Sequence, residues 1–248
     1  FNEETVLMKI GFCGCSITEG VPFVELNQRY SDVICNSLGV ECINLAKGGS
    51  GNREILAQAL TLLTTDVNCI FVQWSAPGRA SFQTSYDMIY STNSLNNPNR
   101  YITDKNYKNF VDVFKIVDSS YNQYAEINTQ ITILNNLSEK LDKKIYYING
   151  LMHIDPVFLN TNNIENIFES MLTTTRDIID LDHLPDDDLV ECIAEIRNFL
   201  SVIDVDQWVS TEKSKPVDRG TDGGHAGPIS NEIFANTVLQ FLKEKNFG

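Results

Sequence analysis

Residues 6–20 constrain this chain more than any other stretch. An apolar run of Val6, Leu7, Met8, Ile10 and Phe12 passes into Cys13, Gly14, Cys15, Ser16, Ile17, Thr18, Glu19 and Gly20. Apolar residues followed by small ones read as a buried strand that stops and turns. Gly14 and Gly20 are expected to supply the φ freedom of a sharp turn, and Cys13 and Cys15 are small enough not to crowd it. Ser16 then carries a hydroxyl at the carboxyl end of a central strand, which is where an open α/β sheet binds its ligands.

The rest of the chain alternates as such a sheet requires. Over 26–38, Leu26, Tyr30, Val33, Ile34 and Leu38 recur at helical spacing, Gly39 follows as a C-cap, and 40–45 reads as a second strand. A glycine-rich stretch at 44–52 feeds a helix with Ile55, Leu56, Ala59, Leu60 and Leu63 on one face. Backbone N–H groups at such a helix start suit an anion, yet the stretch is neither a Walker loop nor GxGxxG, so no nucleotide is expected. Residues 69–74 are apolar on both faces, as a central parallel strand should be. A helix over 119–141 and a strand over 143–149 continue the βαβ alternation, which predicts a doubly wound parallel sheet. Residues 202–208 read as a last short strand or an extended link, and an amphipathic helix with Ile233, Phe234, Val238, Phe241 and Leu242 closes the chain.

Two stretches break the alternation. Residues 80–118 are polar and asparagine-rich with scattered aromatics, among them Tyr86, Tyr90 and Tyr101, and read as an irregular insertion over the strand ends. Residues 150–185 form a second one, containing His153, Asp155, Asp177, Asp180, Asp182 and His183 without any fixed metal-ligand spacing, so no metal is expected. Asp186, Asp187 and Asp188 follow Pro185 at a helix start, where the dipole alone accounts for them.

Bulk properties bound the function. At 248 residues and 42% hydrophobic content, the chain holds one good-sized core, read as a single domain over 1–248. A net charge of −14 without clustered Lys or Arg excludes nucleic acid as a partner. No apolar run reaches the roughly 18 residues that cross a bilayer, so no membrane association is expected. Cysteines 13, 15, 35, 42, 69 and 192 show no CxxC spacing, which predicts a reducing, cytoplasmic setting. The first residue is Phe1 rather than Met, as in a piece of a longer protein, and membership of a larger assembly such as a phage particle is the alternative setting.

Near the carboxyl end, Asp222, Gly223, Gly224 and His225 precede the last helix. Two glycines between the acid and the imidazole let the loop fold back so that the carboxylate reaches the ring, the base-and-orienter pair a serine nucleophile needs. With these residues the chain resembles the SGNH (GDSL-type) hydrolases at three places in family order. Gly14-Cys15-Ser16 is similar to the Gly-Asp-Ser of the first motif, with cysteine for aspartate; Asn44 and Gly49 keep the spacing of the second; Asp222 to His225 is similar to the terminal Asp-x-x-His. The resemblance implies a flavodoxin-like three-layer αβα sandwich around a parallel sheet of about five strands. It implies Ser16 as nucleophile, His225 as general base and then acid, Asp222 as its orienter, and the N–H groups of Ser16 and Gly49 as the oxyanion hole. No cofactor is implied.

The third motif departs from the family. Its asparagine position after the third strand is occupied by Pro77, which has neither a side-chain donor nor an N–H. Losing one oxyanion donor typically costs about 10²- to 10³-fold in turnover, which slows an enzyme without abolishing it. Gln73, Trp74, Ser75 and Arg79 are the candidate replacements, and Trp74, Ser75 and Arg79 are expected to contact substrate. The reading is therefore an ester hydrolase whose expected substrate is a small-molecule or carbohydrate ester, an O-acetyl group in particular. A binding or structural module with a decayed site, an O-acyltransferase, and Cys15 as nucleophile are the alternatives.

Overall fold

The computed structural model describes residues 8–20, 24–75, 81–83, 89–91, 120–149, 204–209 and 217–247. Five parallel strands make the central sheet: β1 (Lys9–Cys13), β2 (Glu41–Asn44), β3 (Cys69–Trp74), β6 (Lys144–Asn149) and β7 (Trp208–Val209). Their order is β2-β1-β3-β6-β7, the flavodoxin-like arrangement that the resemblance implies. Chain order reverses direction across the sheet at β1 and β3, and the turn after β1 opens at this switch point.

Strand alternation feeds two cores, one on each face. Ile70, Val72 and Trp74 of β3 point into one with Ile145, Tyr147 and Trp208; Cys69 and Phe71 point into the other with Ile10, Phe12 and Tyr146. Helices α3 (Asn52–Leu63) and α4 (Ser120–Lys140) cover the first face through Ile55, Ala59, Leu62, Ile127, Ile131 and Leu134. Helices α2 (Tyr30–Leu38) and α5 (Pro228–Glu244) cover the second through Tyr30, Ile34, Phe234, Ala235, Val238 and Leu242. Burying one such aliphatic side chain contributes roughly 1.5–3 kcal/mol. The result is the expected three-layer αβα arrangement.

Several boundaries follow sequence signals closely, including β3, the left-handed Gly39 that ends α2 (φ 67°), and Pro228 in the first turn of α5. Elsewhere the structure differs. The helix expected over 26–38 begins as a 3-10 turn, Leu26–Gln28, and becomes α-helical only at Tyr30. Trp208–Val209 is a two-residue strand entered through the 3-10 turn Val205–Gln207. Within the stretch expected to be irregular, β4 (Ser81–Gln83) and β5 (Ile89–Ser91) pair as a two-stranded antiparallel sheet. Three-residue strands are too short to show a period in the sequence. The stretch at 150–185 and the helix expected after Pro185 lie outside the described residues.

Candidate active site

β1 delivers Ser16 to the carboxyl edge of the sheet as the first residue of a one-turn helix, α1 (Ser16–Glu19). Gly14 serves this turn by close approach rather than by φ, which corrects the expectation above. A Cβ there would meet Thr18 Oγ1 and lie 2.9 Å from Thr18 Cβ and 3.0 Å from Gln73 Cβ. The left-handed position is Gly20, at φ 70°. Beneath Ser16, the Tyr30 hydroxyl donates to Thr18 Oγ1 at 2.9 Å, and the Thr18 hydroxyl donates to Gln73 Oε1. Both Thr18 and Gln73 are buried, so this polar relay is satisfied inside the core. Gly14 N–H donates to Gln58 Oε1 at 2.9 Å, and Lys47 N–H donates to Gly14 O at 3.2 Å. Cys15 is fully buried beside the half-buried Ser16, so the hydroxyl and not the thiol reaches the surface.

The last loop brings the imidazole to the same edge. Asp222 Oδ1 accepts the N–H groups of Gly224 and His225, each at 3.0 Å, and Asp222 Oδ2 lies 2.6 Å from His225 Nδ1. The backbone N–H of His225 first, and its imidazole second, hold the Asp222 carboxyl down at about 2. An ionised carboxylate only accepts, so Nδ1–H is the donor, which in the neutral ring leaves the Nε2 lone pair as acceptor. That lone pair faces Ser16 Oγ at 2.9 Å. The loop is held from behind: Gly220 N–H donates to His225 O at 2.9 Å, Arg219 Nη1 to Gly224 O at 2.8 Å, and Gly227 N–H to Asp218 O at 3.2 Å.

A third segment, between β2 and α3, lies alongside. Asn44 Nδ2 donates to Thr18 O at 2.8 Å and to Ser31 Oγ at 3.0 Å, while Asn44 Oδ1 accepts from Ala46 N–H at 2.9 Å. Asn44 thereby ties the end of β2 to the helix that carries Ser16. Gly48 and Gly49 are the centre of a turn closed by Ser50 N–H on Lys47 O at 3.1 Å. Gly49 at φ 86° occupies the position where a type II turn demands positive φ. A Cβ on Gly48 would lie 3.7 Å from Ser16 Cβ, so the turn abuts the serine.

Ser16, Asp222 and His225 thus meet, with the Gly49 turn beside them, whereas Trp74 and Ser75, two of the residues expected to touch substrate, are buried. Trp74 is fully buried and stacks on Tyr147 at 6.1 Å, a core ring rather than a wall of the site, because β3 points it into the α3 and α4 face. Ser75 is also fully buried; its N–H donates to Asn52 Oδ1 at 2.9 Å and its carbonyl accepts from Asn52 Nδ2 at 3.4 Å. Pro77 and Arg79 lie outside the described residues. Gln58, Asn52, Thr18 and Asp218 are supports that sequence reasoning missed. Gln58 and Asn52 left a faint signal, polar residues on a helix that packs against the sheet; Asp218 left none, because its partners are reached only through the folded loop. No helix among the described residues is long and apolar enough to cross a membrane.

No protein-family model matches the sequence, and no curated protein matches it. Solved structures do resemble this one along nearly its whole length. Esterase EstA from Pseudoalteromonas sp. aligns at a TM-score of 0.46 and 9% identity, covering 97% of this chain and 99% of that one. TesA aligns at 0.45 and 9% identity, covering 96% and 99%. A structure described as a putative lipolytic protein of the G-D-S-L family, from Desulfitobacterium hafniense DCB-2, aligns at 0.44 and 11% identity, covering 95% and 99%.

Proposed function

We propose that this chain is a serine ester hydrolase of the SGNH type. The observation that carries the reading is the unbroken hydrogen-bond path from Asp222 Oδ2 through His225 to Ser16 Oγ, 2.6 Å and then 2.9 Å. Ser16 Oγ attacks the ester carbon while His225 Nε2 takes its proton, and Asp222 fixes the tautomer and stabilises the imidazolium. The carbonyl oxygen, now anionic, is received by the N–H groups of Ser16 and Gly49; as first residue of α1, Ser16 has an N–H outside the helix ladder. His225 returns the proton to the leaving alkoxide; water, deprotonated by the same imidazole, then attacks the acyl carbon, the bond to Ser16 Oγ breaks as the acid leaves, and the imidazolium gives its proton to Oγ. Arg79 is proposed as a substrate contact.

The proposed substrate is a small acyl ester, an O-acetyl group on a carbohydrate, on the strength of the motif resemblance and the polar, tyrosine-bearing stretch at 80–118. The same residues would serve acyl transfer if a sugar hydroxyl replaced water, so the test reads products as well as rate. A fluorophosphonate should label Ser16, and Ser16→Ala should lose both the label and hydrolysis of p-nitrophenyl acetate. Equal turnover in variant and parent would remove Ser16 from the chemistry. Acetate release from acetylated oligosaccharides, against longer p-nitrophenyl esters, tests the acyl and carbohydrate assignment.

A further inference from the structure

We infer that Glu19 is a positioning residue for the reaction proposed above, seating the Gly48–Gly49 turn against Ser16; the inference rests on that reading. Glu19 stands three residues after Ser16, on the same face of α1. Its Oε2 accepts the Gly48 N–H at 2.7 Å. A Cβ on Gly48 would sit 2.7 Å from that oxygen and 3.7 Å from Ser16 Cβ, so carboxylate, turn and serine are mutual neighbours.

Two adjacent glycines leave this turn little intrinsic preference for one conformation. Lys47 N–H on Gly14 O at 3.2 Å and Ser50 N–H on Lys47 O at 3.1 Å tie its flanks. Glu19 supplies a side-chain acceptor at its centre, on the Gly48 N–H. A carboxylate in this position also carries a charge that opposes an anion developing at Ser16, because like charges raise each other's energy. What the reaction needs from Glu19 is therefore its acceptor oxygen and not its charge. Glutamine keeps the acceptor without the charge, and alanine keeps neither.

The test compares Glu19→Ala and Glu19→Gln with the parent, using p-nitrophenyl acetate kinetics and amide hydrogen exchange at Gly48. Glu19→Ala should lower kcat about tenfold or more, the scale on which small misplacements near a reacting centre act, with KM changed less than about threefold. Its Gly48 amide should exchange faster. Glu19→Gln should restore both kcat and protection. A Glu19→Ala variant with parental kcat, or a Glu19→Gln variant as slow as Glu19→Ala, overturns the role of Glu19 while leaving the hydrolase reading intact. A parent that neither hydrolyses esters nor takes a fluorophosphonate overturns that reading, and the role of Glu19 with it.

Discussion

Asp218 and Ser230 hold each other in both directions across the start of α5. The Ser230 N–H and hydroxyl donate to Asp218 Oδ1 at 2.8 and 2.5 Å, and the Asp218 N–H donates back to Ser230 Oγ at 3.1 Å. Asp218 Oδ2 also accepts Ile229 N–H at 3.0 Å, so a remote carboxylate caps a helix whose own N-cap, Gly227, has no side chain. The loop between them carries His225. Ser230 is buried, and its hydroxyl also accepts the Val217 N–H at 2.9 Å. Ser230→Ala therefore leaves two N–H groups without their partner, a cost of about 1–3 kcal/mol. In a chain of this size, thermal denaturation should show a fall in Tm of roughly 2–4 °C per kcal/mol. Fluorophosphonate labelling of Ser16 should slow in the same variant, because His225 loses its fixed loop.

Asp222 sets the acid limit of the site. Its carboxyl is held at about 2, below the ordinary value of 3.8, by the hydrogen bonds it accepts from His225 and Gly224. A depressed carboxyl contributes stability that is complete above its unfolded value and is lost as pH falls through its folded one. The stability difference between parent and Asp222→Asn should thus be constant above about pH 5 and should shrink between about pH 4 and pH 2. Urea unfolding midpoints across that range measure it. At neutral pH, Asp222→Asn should lower kcat by orders of magnitude, because the amide no longer holds Nδ1–H as the donor.

Gly14 and Gly49 are both needed, for different physical reasons, and alanine separates them. At Gly14 a methyl would drive into Thr18 and lie 3.0 Å from Gln73 Cβ, breaking the buried relay beneath Ser16. At Gly49 nothing stands within 4 Å of the added Cβ, and the whole penalty is the positive φ of 86°. Gly49→Ala should cost about 1–2 kcal/mol and fold normally. Gly14→Ala should be the more damaging of the two in thermal denaturation, since displaced buried partners lie on both sides of it.

Cys15 is buried and Ser16 is not, which predicts opposite reactivities for neighbouring residues. Under native conditions iodoacetamide should leave Cys15 unmodified, as mass spectrometry of digested protein would show. Cys15→Ala should keep its fluorophosphonate label; loss of the label, with Tm unchanged, would return Cys15 to the list of candidate nucleophiles.

Much of this architecture was legible because its determinants are local. The apolar run of β3, the helical spacing that ends at Gly39, and Pro228 at the start of α5 each act through neighbouring residues, so their elements follow from the sequence. The candidate acid and base were legible for the same reason, since Asp222 and His225 reach each other across only two glycines. The short strands β4 and β5 were not, and β7 was legible only as one of two readings of 202–208, because two or three residues carry no period. The full burial of Trp74 was hidden as well: alternation puts it on the face of Ile70 and Val72, but how far that face is covered at the strand end is decided by packing.

The sequence by itself determined the alternation of strands and helices, the glycine-bearing turns and the chemical types available at them, because backbone preference and hydrophobic period act over a few residues. Only the tertiary structure decided that Ser16 Oγ and His225 Nε2 stand 2.9 Å apart, although the two residues are 209 positions apart in the chain. Only it assigned Asn44, Gln58, Asp218 and Glu19 to hold the loops in place. The physical reason is that side-chain hydrogen bonds between distant segments depend on which segments the sheet order β2-β1-β3-β6-β7 makes neighbours, and strand order is a property of packing.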